Sequence, residues 1–159
     1  MKNKALFCLA IAATVLVFAC KKKKSDDPGP DNNTDYSKRP AMLMVKNWKI
    51  TSLSTTSFGE IWTNDAFVAP CNRDNTYWFR HDDSVAIYDG GTKCNSSDPD
   101  STRGFYKLYN DNKQMILNMK LSASITLNDT ADISELSDSR MKLNIEYSGI
   151  PGIITFEHP

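Results

Sequence analysis

Residues 142–147, KLNIEY, alternate strictly between polar and apolar side chains. A period of two places Leu143, Ile145 and Tyr147 on one face of an extended strand and the polar side chains on the other. This pattern predicts a strand with one buried face. Because similar stretches recur from residue 47 onward and none has a persuasive helical period, we expect an all-β domain.

The longest of these stretches lies at residues 114–127. Met115, Leu117 and Met119 are in phase, and the same phase continues to Leu127, so the stretch predicts one long strand or two strands with a kink. Further strands are expected at 47–54, 76–80, 84–89, 104–109, 130–136 and 152–157. The alternation slips between Ile133 and Leu136, where we expect a β-bulge.

Short turn sequences separate most of the expected strands: HDD at 81–83, DGG at 89–91, NDNK at 110–113, ND at 128–129 and DSR at 138–140. Short links make sequence neighbours pair as antiparallel hairpins. About eight such strands predict an up-and-down barrel that is closed or nearly closed, which removes exposed strand edges. A helical turn within 39–47 is expected to plug one end, with Trp48 packed against it.

The N-terminus has the three parts of an export signal. A charged start precedes an apolar run at residues 5–19, and VFAC at 17–20 has the form of a bacterial lipobox. We therefore expect a signal peptide at 1–19 and an acylated Cys20; an uncleaved anchor and an ordinary signal cut elsewhere are the alternatives. Four lysines and a Pro-, Gly- and Asp-rich run with no apolar residue predict a disordered tether at 20–36.

These features leave residues 37–159 as a single domain. The expected location is the bacterial cell envelope, lipid-anchored at the outer membrane, with the periplasmic and surface faces both possible. From Tyr36 onward the chain has 13 basic and 15 acidic residues and no basic stripe, which argues against a nucleic-acid partner.

Cys71 and Cys94 are the cysteines of the domain. An oxidising envelope favours a disulfide between them, across a hairpin of the strands at 76–80 and 84–89. Two free thiols or a metal pair are the alternatives. There is no Cys-x-x-Cys spacing, the two histidines do not fit a zinc pattern, and DPDS at 98–101 lacks the order of a calcium loop. No metal or cofactor is predicted.

Four short motifs resemble the lipocalin-like domains of Gram-negative lipoproteins: Trp48 in the first strand, CNRDN at 71–75, GFYKL at 104–108 and DISELS at 132–137. The likeness covers most of residues 40–157. Lipocalins usually have Gly-x-Trp in the first strand, whereas here Lys46 and Asn47 precede the Trp. The resemblance implies a barrel that binds a small hydrophobic molecule.

The sequence contains no Gly-x-Ser-x-Gly elbow, phosphate loop or His-Glu-x-x-His motif, so an enzyme is not expected. The phase of the strands predicts an apolar inward face that either fills the barrel or lines a partly open cavity. This predicted inward set is Trp48, Ile50, Tyr77, Phe79, Val85, Ile87, Tyr106, Leu108, Met115, Leu117, Met119, Ile125, Leu127, Leu143, Ile145, Tyr147, Ile154 and Phe156.

The long segment at residues 55–70 is the expected border of a binding site at an open barrel end. It carries aromatic side chains in a polar context and is interpreted as a lid. The residues predicted to bind ligand are Trp62, Phe67, Tyr77, Tyr147, Met115 and Met119. The alternative hypothesis is an interaction module that contacts an envelope protein or glycan through this segment or the barrel rim.

Overall fold

The computed structural model describes residues 35–159, and strands account for most of them. The predicted signal peptide, Cys20 and the tether up to residue 34 lie outside the described residues. One helix, α1 (Arg39–Met44), is followed by β1 (Trp48–Thr55), β2 (Gly59–Glu60), β3 (Thr76–Phe79), β4 (Ser84–Tyr88), β5 (Ser101–Tyr109), β6 (Gln114–Lys120), β7 (Thr126–Leu136), β8 (Arg140–Tyr147) and β9 (Ile150–Glu157). No helix in the described part of the chain is long and apolar enough to span a membrane.

The sheet closes on itself through β1. Strands β3 to β9 pair in chain order, and β1 pairs with both β3 and β9, always antiparallel. The result is an eight-stranded barrel, with the short β2 added to β1 as a hairpin. This confirms the predicted antiparallel up-and-down architecture.

The wall between β1 and β3 is completed by the chain that follows β2. Only Trp48 and Lys49 of β1 pair with β3. Farther along β1, the backbone amides of Ile61 and Trp62 donate to the carbonyl oxygen of Leu53 at 2.8 and 3.3 Å. Ile61 and Trp62 are both buried. The segment between β2 and β3 therefore fills the space where β1 and β3 diverge.

The predicted inward face is confirmed. All 18 residues of the predicted inward set are buried except Leu108 and Tyr147, which are partly buried against the same core. Two register shifts modify the alternation. The expected bulge lies between Ile133 and Glu135, and a second shift, in β1, turns Leu53 inward, which the alternation did not predict.

The interpretation of residues 114–127 as one long or kinked strand is wrong. The chain reverses at residues 121–125, and β6 and β7 form a hairpin, so the predicted turn at 128–129 lies inside β7. The backbone amide of Leu121 donates to the carbonyl of Ile125, and the hydroxyl of Ser122 accepts from the amide of Ile125. Both apolar residues stay buried through the turn, which is why the apolar phase continued unbroken.

The helix end of the barrel, formed by α1, the turns at 80–83, 110–113 and 137–139, and His158, is plugged around Trp48. Trp48 is fully buried, and its Nε1 donates to the carbonyl oxygen of Leu43 in α1 at 2.9 Å. The His158 ring lies 3.9 Å from the Trp48 ring, and its Nδ1 is 2.8 Å from the carbonyl of Asn47. Trp48 therefore joins α1 and the C-terminus to the barrel, as its position in the sequence predicted.

Replacing Trp48 with Ala should lower the free energy of unfolding by about 3 to 5 kcal/mol, because a packed core aromatic is removed. Urea unfolding followed by circular dichroism measures the change. Val45→Ala, at a 70% exposed position of the same end, is the control and should change stability by less than about 0.5 kcal/mol. Equal effects in the two variants would contradict the role given to Trp48.

Candidate ligand pocket at the disulfide end

The opposite end of the barrel contains a pocket of about 310 Å³. We call this the disulfide end; it comprises residues 56–75, 89–100, 121–125 and 148–149. The pocket lies between the short helical turn Pro70–Asn72, the loop at 89–100 and the turn at 121–125. Its buried lining residues are Asn75, Ile87, Leu121 and Ser122, and its more exposed ones include Asn72, Asp89, Cys94, Asn95, Asp98, Thr102, Lys120 and Ala123.

The loop at 89–100 is attached to the start of β3 by a covalent bond. Cys71 and Cys94 form a disulfide with a Cα–Cα distance of 5.2 Å, which confirms the predicted bridge. The antiparallel pairing of β3 with β4 returns the chain and places Thr76 opposite Tyr88. The hairpin therefore brings the two flanking cysteines together, as expected.

Two side chains next to Cys71 attach the same loop by hydrogen bonds. Asp74 Oδ2 accepts from the amide of Thr92 at 3.0 Å, and Asn75 Oδ1 accepts from the amide of Gly90 at 3.2 Å. A Cβ at Gly90 would lie only 2.1 Å from Asp74 Cγ, so a side chain there would displace the carboxylate. The motif CNRDN did not by itself predict that Asp74 and Asn75 attach the loop. The Asp-Asn pair before β3 and the Gly-Gly pair after β4 are the sequence features that could have indicated it.

Asn75 is the most informative polar residue of the pocket. It is 8% exposed and lines the pocket, and Gly90 uses only its carbonyl oxygen. Its amide nitrogen has no hydrogen-bond acceptor among residues 35–159. This nitrogen is not one of the solvent-excluded side-chain atoms without a partner, so solvent reaches it and it is available to a ligand acceptor.

Of the three charged residues that line the pocket, Asp89 and Lys120 have no ion pair within residues 35–159, whereas Asp98 is hydrogen-bonded within its own loop. Asp98 Oδ2 accepts a hydrogen bond from the backbone amide of Asn95 at 2.9 Å. The hydrogen-bonded ion pair of Lys93 with Asp100 lowers the pKa of the Asp100 carboxyl and raises the pKa of the Lys93 amine. No grouping of three His, Cys, Asp or Glu side chains suited to a metal occurs within residues 35–159. The pocket thus offers an apolar wall of Ile87 and Leu121 beside the side-chain amide of Asn75 and the ammonium of Lys120, two donors without a partner within residues 35–159.

Four of the predicted ligand residues lie in the filled interior. Trp62, Tyr77, Met115 and Met119 are at most 2% exposed, and none of them lines the disulfide-end pocket. Burial raises the pKa of the Tyr77 hydroxyl, which has no hydrogen-bond partner in the described part of the chain. Trp62 is therefore not placed as a lid residue at an open barrel end, because it fills the wall between β1 and β3.

The other two predicted ligand residues are partly exposed at the disulfide end. The hydroxyl of Ser124 donates to the carbonyl of Phe67 at 2.9 Å, and the Tyr147 hydroxyl donates to the carbonyl of Ser124 at 3.4 Å. Neither lines the pocket, and the structure does not gather the six residues around one space. Their role in ligand binding stays a prediction. The pocket residues that the sequence did not indicate are Asn75, Ile87, Leu121 and Ser122.

Comparison with known protein families gives a match. A family model described as a lipocalin-like domain matches residues 44–143 of the chain. The matched region runs from the end of α1 into β8 and contains every residue that lines the disulfide-end pocket. A search of curated proteins finds no match.

Replacing both Cys71 and Cys94 with Ser should lower the free energy of unfolding by about 3 kcal/mol, because the unfolded chain is no longer closed into a loop. Urea unfolding of the oxidised protein and the double variant gives the difference. Adding a reductant should shift the oxidised protein toward the variant and leave the variant unchanged. A double variant as stable as the oxidised protein would show that the bridge contributes nothing.

Proposed function

The chain belongs to the family of lipocalin-like domains. We propose that it is an exported, lipid-anchored protein that binds a small molecule in the disulfide-end pocket. The proposed ligand has an apolar body and one hydrogen-bond acceptor. The observation that carries the proposal is the pocket itself: about 310 Å³ of space beside two buried aliphatic side chains and a free amide donor, at the end of an otherwise filled barrel.

The size and composition of the pocket support a ligand of modest size. Binding sites for small molecules usually have volumes of about 300 to 1,000 Å³, an apolar lining and a few polar groups that fix orientation. The disulfide-end pocket is at the lower limit of that range. Ile87 and Leu121 would contact the apolar body, and the amide nitrogen of Asn75 would donate to the acceptor.

The proposed location rests on two features of the chain. Residues 17–20, VFAC, after an apolar run have the form of a lipobox, with Cys20 as the acylated residue. The disulfide between Cys71 and Cys94 is of a kind that persists in compartments outside the cytoplasm. Both support an envelope protein held at the outer membrane by its N-terminal lipid.

Replacing Cys20 with Ser should remove the acylation site, so the protein should leave the membrane fraction or remain unprocessed. Membrane fractionation and intact mass measurement of the full-length protein test this. Lys24→Ser, four residues along the tether, is the matched control and should leave processing unchanged. A Cys20→Ser variant that is processed and retained like the natural protein would exclude the lipid anchor.

Filling the pocket should abolish binding. Ala123 is exposed and lines the pocket, so Ala123→Trp would place a large ring there with little effect on the core. Nile red, which has an apolar ring system, a carbonyl acceptor and no net charge, is a suitable probe. Its affinity should fall about tenfold or more, corresponding to a loss of about 1.4 kcal/mol.

Ala41→Trp, on α1 at the opposite end, is the control and should leave probe binding unchanged. Native mass spectrometry of the mature protein, purified from membranes, then tests for a co-purified small molecule that is missing from the Ala123→Trp variant. Probe binding that resists Ala123→Trp would place the site elsewhere and overturn the proposal.

A further inference from the structure

The outer wall of the barrel has a second unusual surface, on β3 to β6. The outward side chains of these four strands, taken with Arg80 directly after β3, include four aromatic residues and four cations, and none of them is a carboxylate. We call this the aromatic–cationic face. It carries Trp78, Tyr88, Phe105 and Tyr109 together with Arg80, Arg103, Lys107 and Lys120.

Part of this face is already ordered. The Arg80 guanidinium lies 4.8 Å from the centre of the Trp78 ring, and its Nη2 donates to the Tyr88 hydroxyl at 2.8 Å. Trp78 Nε1 donates to the carbonyl of Met44 at 3.3 Å, which fixes the ring. Ala86 is outward-facing but only 6% exposed, consistent with cover from these side chains. Side chains that are fixed before binding lose less entropy when a ligand arrives.

The aromatic groups of the face remain available. Trp78 and Phe105 are 39% and 43% exposed. They lie on β3 and β5, with β4 between them. Trp78 is paired with Ala86 of β4, and Ala86 is paired with Arg103 of β5. Phe105 is the next outward residue of β5 after Arg103. The two rings therefore flank a shared patch that also contains a guanidinium.

The charges of the face are mostly unneutralised. Within residues 35–159, Arg80, Lys107 and Lys120 have no carboxylate within 4 Å, and Arg103 has one exposed partner, Asp82, at 3.4 Å. The same residues contain 13 Lys and Arg against 16 Asp and Glu, so the four cations of the face lie on an otherwise acidic domain. This asymmetry selects a ligand that carries negative charge.

We propose that the aromatic–cationic face binds an anionic polysaccharide. The apolar face of a sugar ring would stack on Trp78 and Phe105, and sugar carboxylates would pair with Arg80 and Arg103, whose planar guanidinium groups match that geometry. The remaining outward side chains supply hydroxyl and amide groups that can bond to sugar hydroxyls; they include Thr76, Ser101, Gln114 and Asn118.

The topology argues against an extended peptide as the ligand. β4 to β6 are paired on both sides within the barrel, and only Trp78 and Phe79 of β3 lack a partner on the β1 side, so no edge is long enough for a peptide strand to add to. This leaves the side chains of the face as the recognition groups. The face lies on the barrel wall, and the inference does not depend on the proposed function of the disulfide-end pocket.

The test uses the mature protein and four polymers. Polygalacturonate has both sugar rings and carboxylates, dextran has rings without charge, poly-L-glutamate has charge without rings, and oligothymidylate has charge with nucleobases. Trp48 and Trp62 are at most 2% exposed, so quenching of tryptophan fluorescence by acrylamide reports mainly on Trp78. Polygalacturonate should protect Trp78 from the quencher, and raising the salt from about 0.05 to about 0.5 M should weaken this binding.

Variants then locate the site. Trp78→Ala and Arg103→Gln should each weaken polygalacturonate binding about tenfold, the second without risk to the fold because Arg103 is mostly exposed. Binding to the Trp78→Ala variant is measured by calorimetry. Arg140→Gln, on β8 at another part of the wall, is the matched control and should bind like the natural protein. The lysines at 21–24 are present in every variant, so their contribution cancels.

Each other result overturns the inference. Equal binding of poly-L-glutamate would show that charge alone acts, and tighter binding of oligothymidylate would identify a nucleic-acid surface. Binding of dextran as tight as that of polygalacturonate would remove the role of the cations. Polygalacturonate binding that the Trp78 and Arg103 variants do not weaken, or no binding, would exclude this face as a polysaccharide site.

Discussion

The closure of the sheet at β1 is the constraint on which the other features depend. This strand pairs with β9 along nearly its whole length but with β3 at only two residues. The seam with β9 is tight, since a Cβ at Gly152 would lie 2.7 Å from the carbonyl oxygen of Ser54. Because β1 stays paired with β9, it separates from β3 toward the disulfide end. Residues 56–75 fill the gap between β1 and β3. Their return to β3 brings Cys71 and Asp74 to the loop at 89–100, and the pocket forms where these segments meet.

A filled interior moves the candidate binding surfaces to the end and the wall. An eight-stranded barrel is just wide enough for its own side chains or one small ligand, and here large side chains occupy it. Trp48 plugs the helix end and Trp62 the wall near the other end. The accessible candidates are the pocket at the disulfide end, hollows of about 240 to 470 Å³ beside α1, and the outward side chains of β3 to β6. The pocket and the outward side chains meet at Lys120, which lines the pocket and belongs to the aromatic–cationic face, while Asp89 and Asp98 border the pocket alone.

The sequence predicted the features that follow from a period of two. The inward face, the bulge near Ile133 and the disulfide between strand-flanking cysteines all depend on alternation along single strands and on short hairpins. It failed where the apolar phase ran through a turn, because Ser122 supplies the turn chemistry with its side chain and no Gly or Pro marks the reversal. It also missed Leu53, although the apolar phase slips between Ile50 and Leu53 as it does between Ile133 and Leu136.

The candidate pocket could not be predicted for a different reason. Its lining comes from residues near 72–75, 87–102 and 120–123, which meet only after the barrel has closed. The outward face is a contrasting case: each strand shows its exposed aromatic and basic residues separately, but their proximity depends on the register of β3, β4 and β5. Recognition surfaces on a barrel are thus set by cross-strand neighbours, whereas the core is set within each strand.

The position of Tyr36 favours access to the disulfide-end pocket in the proposed lipid-anchored protein. The described chain begins at Asp35, and the carbonyl of Tyr36 accepts from Asn112 Nδ2 at 3.1 Å, so the tether joins the barrel at the helix end. The pocket is at the opposite end, where a membrane next to the helix end would not cover it.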